Sequence, residues 1–106
     1  MPWLWLVVAG VFEVGFTTCM KLSNGFTRLG PSVAFLFFAI GSFVLLARAV
    51  TIIPLGTAYA VWTGIGAFGT AVIGIVFFRD PATAGRIFFL ALLIGSIIGL
   101  KLVSPE

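Results

Sequence analysis

Polar residues interrupt this chain at only a few places, and the apolar stretches between them approach the length of a bilayer-spanning helix. The first stretch runs from about Trp3 to Met20. Lys21-Leu22-Ser23-Asn24-Gly25-Phe26-Thr27-Arg28-Leu29-Gly30-Pro31 follows it, and this mix of turn formers and charges reads as a polar loop. A second stretch covers about Ser32 to Ala49, and Thr51 to Pro54 make a short connection, with Pro54 opening the next helix. The third runs from about Leu55 to Phe78 and is rich in glycine. Arg79-Asp80-Pro81 ends it, and a fourth runs from about Gly85 to Val103, closed by Ser104-Pro105-Glu106. Lipid offers a backbone no hydrogen-bond partner, so spans are helices or closed barrels. The runs lack the alternation of barrel strands. The pattern predicts an all-α integral membrane protein: one transmembrane domain over residues 1–106, with helices near 3–20, 32–49, 55–78 and 85–103.

Composition narrows this further. Of 106 residues, 61% are hydrophobic and 8% charged, against roughly a quarter charged in a soluble domain. Four spans use about 80 residues, which leaves no room for an extramembrane domain. With no His and a single Cys, Cys19, neither an internal disulfide nor a Cys/His metal site is expected, and no cofactor is called for. The net charge of +3 is scattered, so no nucleic-acid patch is expected. No Lys or Arg precedes the first stretch, so a retained helix is expected rather than a cleaved signal peptide. Lys21, Arg28, Arg79 and Arg86 fall on one side of the bilayer, with Arg48 and Lys101 on the other. That imbalance weakly favours the first and third loops inside, and it leaves insertion in both orientations open.

Among the charges, Glu13 stands apart. Asp80 falls in a loop and Glu106 is the last residue, whereas Glu13 lies near the middle of the first span. A charge there costs about 2.5–3.5 kcal/mol on insertion scales, and no Lys or Arg of the chain lies at the same depth to pair with it. Glu13 is either protonated and hydrogen-bonded to a neighbouring helix, or a binding site for a cation. If proton and cation compete for one carboxylate, the site is an exchanger.

At about 100° per residue, Leu6, Ala9, Gly10, Glu13, Phe16, Thr17 and Met20 share one helix face. Its small and polar members suit a cavity, and they equally suit ordinary helix packing. Tyr59, Trp62, Thr63 and Gly66 fall on one arc of the third helix. Trp62 lies too deep for an interfacial anchor, a role that fits Trp3 and Trp5, so it is expected to wall a ligand through its cation–π face. Ser42 is the hydroxyl inside the second span, positioned to bond either Glu13 or its own helix backbone. Gly64, Gly66 and Gly69 are candidates for a kink. Gly95 and Gly99 make a small-xxx-small motif and a candidate subunit seam. Four helices cannot enclose a cation path alone, so an oligomer is expected.

The whole pattern resembles the small multidrug resistance family of bacterial inner-membrane transporters. The resemblance rests on the four-span length, on Glu13, and on Lys21-Leu22-Ser23-Asn24-Gly25-Phe26-Thr27-Arg28. Its most specific part is Pro54-Leu55-Gly56-Thr57-Ala58-Tyr59-Ala60-Val61-Trp62-Thr63-Gly64-Ile65-Gly66. It implies an antiparallel dimer, with a second copy or a paralogous subunit, that exchanges protons for organic cations by alternating access. It also implies that Glu13 of both subunits binds proton or substrate, with Tyr59 and Trp62 lining the site. The fourth helices would hold the dimer and the third would kink. Trp62-Thr63-Gly64-Ile65-Gly66-Ala67 and Ser42 resemble the guanidinium-exporter branch, which usually carries Trp where Phe16 stands here. Phe16-Thr17-Thr18-Cys19-Met20-Lys21 resembles the polyspecific drug-exporting branch. Losing an indole donor loosens a site that must hold a planar, directed guanidinium. The expectation is therefore a proton-coupled antiporter for quaternary ammonium and guanidinium-type cations. The alternatives are a narrow guanidinium exporter or a non-transporting assembly or regulatory subunit. An enzyme is not expected, since no His and no reactive pair are present.

Overall fold

The computed structural model describes residues 2–103, so the expected closure at Ser104, Pro105 and Glu106 lies outside the described residues. Four helices follow one another: α1 (Pro2–Leu22), α2 (Leu29–Ala49), α3 (Leu55–Phe77) and α4 (Ala84–Val103). Each is long and apolar enough to cross a bilayer, and the chain is a four-span membrane protein.

The helix ends follow from local chemistry. α2 starts one turn before the expected Ser32, because Pro31 is accommodated in a first turn, where its missing N–H has no helical acceptor to lose. Pro54 stands just before α3, and its carbonyl accepts the Ala58 N–H at 2.9 Å. α3 stops at Phe77, where Arg79 turns left-handed with φ +59° and the Gly74 carbonyl collects the N–H groups of Phe78 and Asp80. Thr83 Oγ1 accepts the Arg86 N–H at 3.2 Å and caps α4, a cap the sequence pattern did not single out. Between α1 and α2, Ser23 Oγ donates to the Met20 carbonyl at 2.7 Å and accepts the Phe26 N–H at 2.9 Å.

α1 sits at the centre, against both α2 and α3, whereas α4 packs mainly on α3 and reaches α1 through Lys101, which lies over Trp3. Lipid tails are as apolar as the side chains, so helices associate through close approach and hydrogen bonds rather than escape from water. Small residues supply that approach. Phe12 lies on Gly41 and Phe38 on Gly15 across the α1–α2 seam. Gly10 lies against Ile65 and Gly69 against Val14 across the α1–α3 seam. These pairings rise together in both numbers, so α1 and α3 run parallel. The molecule is a slab of 43 × 35 × 17 Å. Its thin dimension corresponds to about two layers of helices.

Candidate functional site

Glu13 lies at the α1–α3 seam. Its carboxylate rests on Gly66, and a Cβ built on Gly66 would collide with Glu13 Oε1 and Cδ. Oε1 is buried and accepts no hydrogen bond from any described protein group. An unpaired carboxylate oxygen in hydrocarbon is costly, which makes the atom ready for a proton or for a cationic donor. Thr63, one turn before Gly66, also holds a buried hydroxyl with no partner among the described residues.

Ser42 bonds neither of the groups expected for it. Its hydroxyl is fully buried, donates to the Ala9 carbonyl of α1 at 2.7 Å and accepts the Trp62 indole N–H at 2.9 Å. One side chain therefore ties α1, α2 and α3 together. The reason is that Ala9, with its short side chain, leaves its carbonyl open to a neighbouring helix. Trp62 is 6% exposed and packs with Leu6, Ala9, Ala58 and Val61. Its ring meets Tyr59 at 5.6 Å and Phe43 at 5.5 Å, so an aromatic row runs from the buried indole to the exposed Tyr59.

The other residues expected at the site divide. Gly10 is buried under Ile65, so it serves helix approach and leaves no space for a guest. Phe16 stacks on Phe43 at 6.2 Å and 19°, and meets Phe35 edge-on at 5.6 Å. Thr17 shares a 2.7 Å hydrogen bond with Thr70 of α3. Met20, on the same calculated face of α1, is exposed. Gly64 lies against Ile97 and Leu93 of α4, Gly66 against Glu13, and Gly69 against Val14, in an α3 that is helical throughout. Each glycine of the expected kink thus has a packing neighbour that a Cβ would meet. Gly95 and Gly99 meet nothing within 4 Å, so that side of α4 is open, while Ile97 on its other side fills the notch at Gly64. Trp3 and Trp5, expected as interfacial anchors, also have neighbours inside the protein. Both pack against the buried cluster, and Lys101 stands 4.9 Å over the Trp3 ring. The sequence reading missed Thr70 and Phe43. A hydroxyl inside the third apolar span was the available signal for Thr70, and Phe43 gave none.

Comparison with known proteins bears on these residues together. A family profile described as "Small Multidrug Resistance protein" matches residues 1–93. A guanidinium exporter of Yersinia pseudotuberculosis is 51% identical over 104 residues, covering 98% of this chain and 100% of the relative. A guanidinium exporter of Escherichia coli K12 is 50% identical over 102 residues, covering 96% of this chain and 97% of the relative. A third, from Proteus vulgaris, is 46% identical over 104 residues, covering 98% and 100%.

Proposed function

Because the chain belongs to the Small Multidrug Resistance family of membrane transporters, we propose that it exports guanidinium across the bacterial inner membrane in exchange for protons. The observation that carries this reading is the buried, unpartnered Oε1 of Glu13. Proton and guanidinium compete for that oxygen, so one must leave before the other binds, and the competition couples their movements. Family membership favours transport over the non-transporting assembly or regulatory subunit.

The narrow substrate is favoured over a broad one on two grounds. The relatives compared above carry the name guanidinium exporter. The aromatic wall is also held rigidly: Trp62 is fixed through Ser42 to the Ala9 carbonyl. A planar cation with directed donors gains from fixed acceptors and fixed ring faces, whereas a bulky greasy cation gains from yielding ones. Phe16 supplies no indole donor, but its ring is held between Phe35 and Phe43, which supports a rigid wall.

The transporting unit in this reading is a dimer, antiparallel as the weak charge asymmetry allows. The open side of α4 at Gly95 and Gly99 offers close approach to a second α4. In that dimer the exposed Tyr59 faces the path between the two copies, backed by the buried Trp62 ring. Uptake of guanidinium into proteoliposomes under a proton gradient tests the reading, with tetraalkylammonium and aromatic cations alongside. Guanidinium uptake that Glu13→Gln abolishes, with the other cations excluded, is the expected result. Uptake of the bulky cations at comparable rates overturns the narrow substrate, and no uptake of any cation overturns transport.

A further inference from the structure

Beyond Glu13, at the end of the α1–α3 seam nearer the first and third loops, a second polar place exists. A cavity of about 150 Å³ lies there, lined by Thr17, Thr18, Lys21, Thr70, Phe78 and Asp80. Asp80 folds back over the end of α3 so that its carboxylate lies on Gly74, where a Cβ would strike Oδ2. Its backbone N–H is held by the Gly74 carbonyl at 3.0 Å, which fixes the residue that carries the charge.

The hydroxyls are arranged to accept. Thr17 donates to the Val14 carbonyl at 3.0 Å, and Thr18 donates to the same carbonyl at 2.8 Å. Thr17 and Thr70 share a 2.7 Å bond in which either hydroxyl can donate, and Thr70 is the donor when the Thr17 proton goes to Val14. Every one of these protons then points at protein, and each hydroxyl keeps lone-pair capacity for a guest. The carboxylate adds charged acceptors, and the Phe78 ring adds a cation–π face. One positive group already faces that ring, since Lys21 Nζ stands 6.0 Å from its centroid. Lys21 is exposed and has a long flexible stem, so it can swing to water.

The size is sufficient. Liquid water takes about 30 Å³ per molecule, so this cavity has room for a cation of one carbon and three nitrogens. A tetraalkylammonium ion offers no N–H to these acceptors, so the hydroxyls and the carboxylate oxygens gain no hydrogen bonds from it. Glu13 and Thr17 lie one turn apart on α1, so the Thr17–Thr70 bond stands between the deep carboxylate and the cleft.

We propose that this cleft is a second, shallower cation site, at which guanidinium pauses between water and Glu13, with Lys21 as the resident cation it displaces. Guanidinium as the ligand rests on the export reading above. In an antiparallel dimer the two clefts open on opposite membrane faces, so the same site serves for entry and for release.

The site is tested apart from transport by titrating guanidinium chloride into isotope-labelled Glu13→Gln protein in bicelles, in which the deep carboxylate is gone. Saturable amide shifts at Thr18, Thr70 and Asp80 are expected. Adding Asp80→Asn should weaken the apparent Kd by about tenfold. Thr18→Val, which leaves the loop intact, should weaken it by a smaller factor, and Lys21→Ala should tighten it. Opposite signs for Asp80 and Lys21 would not arise from a merely structural effect. No saturable shifts, or shifts unchanged by Asp80→Asn and Thr18→Val, overturn the proposal. Wild-type uptake run in parallel separates the two readings. Uptake with no cleft binding defeats the second site alone, and cleft binding with no uptake defeats export alone.

Discussion

Ser42→Ala removes one oxygen and unties three helices. In the native protein that oxygen accepts the Trp62 indole N–H at 2.9 Å and donates to the Ala9 carbonyl at 2.7 Å. The losses are unequal. The Ala9 carbonyl lies inside α1 and keeps its own helical partner, so it loses only a second bond. The indole N–H has no other described acceptor, and Trp62 is too buried for water to replace the hydroxyl. A buried donor left unpaired costs about 1–3 kcal/mol. Interhelical hydrogen bonds in membranes average nearer ~0.6 kcal/mol, because the unfolded helices also find partners in lipid. The lower part of the first range, about 1–1.5 kcal/mol, is the expected loss, since packing around Trp62 prevents it from finding such a partner. The assay is unfolding in rising SDS mole fraction, followed by tryptophan fluorescence, for Ser42→Ala, Trp62→Phe and the double variant. Once the indole donor is gone, the serine has less to lose, so the double variant should be less destabilised than the sum by about 1 kcal/mol. Strict additivity would refute the argument that the two side chains act as a unit. Guanidinium KM should rise in Ser42→Ala, because the indole no longer holds one orientation.

Other outcomes follow from the same geometry. Gly66→Ala places a methyl where the Glu13 carboxylate rests, so guanidinium binding should fall at least about tenfold while helix content, read by circular dichroism, is retained. Gly10→Ala meets Ile65 Cγ2 at 2.6 Å and Cβ at 2.8 Å, close to the α3 backbone and not at a flexible tip. It should therefore cost about 1–3 kcal/mol in the SDS titration. A protonated Glu13 cannot pair with a cation, so guanidinium affinity should fall as pH is lowered from about 9 to about 5, with protons released on binding at intermediate pH. Isothermal titration in buffers of different ionisation enthalpy reads both, and a flat profile contradicts the competition. Gly99→Leu adds bulk on the open side of α4. Cross-linking of the reconstituted protein should show less dimer, while the α3–α4 packing through Ile97 and Gly64 is unaffected.

Some of this was legible in the residues and some was not. Four helices and a bilayer followed from the apolar runs, because lipid leaves a spanning backbone no other way to satisfy its hydrogen bonds. Glu13 stood out for a related reason: in a chain that is 8% charged, a carboxylate inside an apolar run has no bland explanation. Helical periodicity also placed Glu13 beside Thr17, and Trp62 beside Gly66, on their own helices. What periodicity cannot give is the partner across a seam. That depends on rotation and register between helices far apart in sequence, and close approach settles them. Only the tertiary structure decided that Ser42 joins Trp62 to Ala9 rather than to Glu13, and that Gly10 serves packing. The same holds for Asp80, an ordinary loop residue by sequence, which the left-handed turn at Arg79 folds back over Gly74 beside the threonines of α1 and α3. The sequence by itself therefore determined the solvent, the number of crossings and the one charge that lipid cannot ignore. The structure decided which neighbours that charge and its surroundings have, because those contacts are set by helix-to-helix geometry and not by position along a single helix.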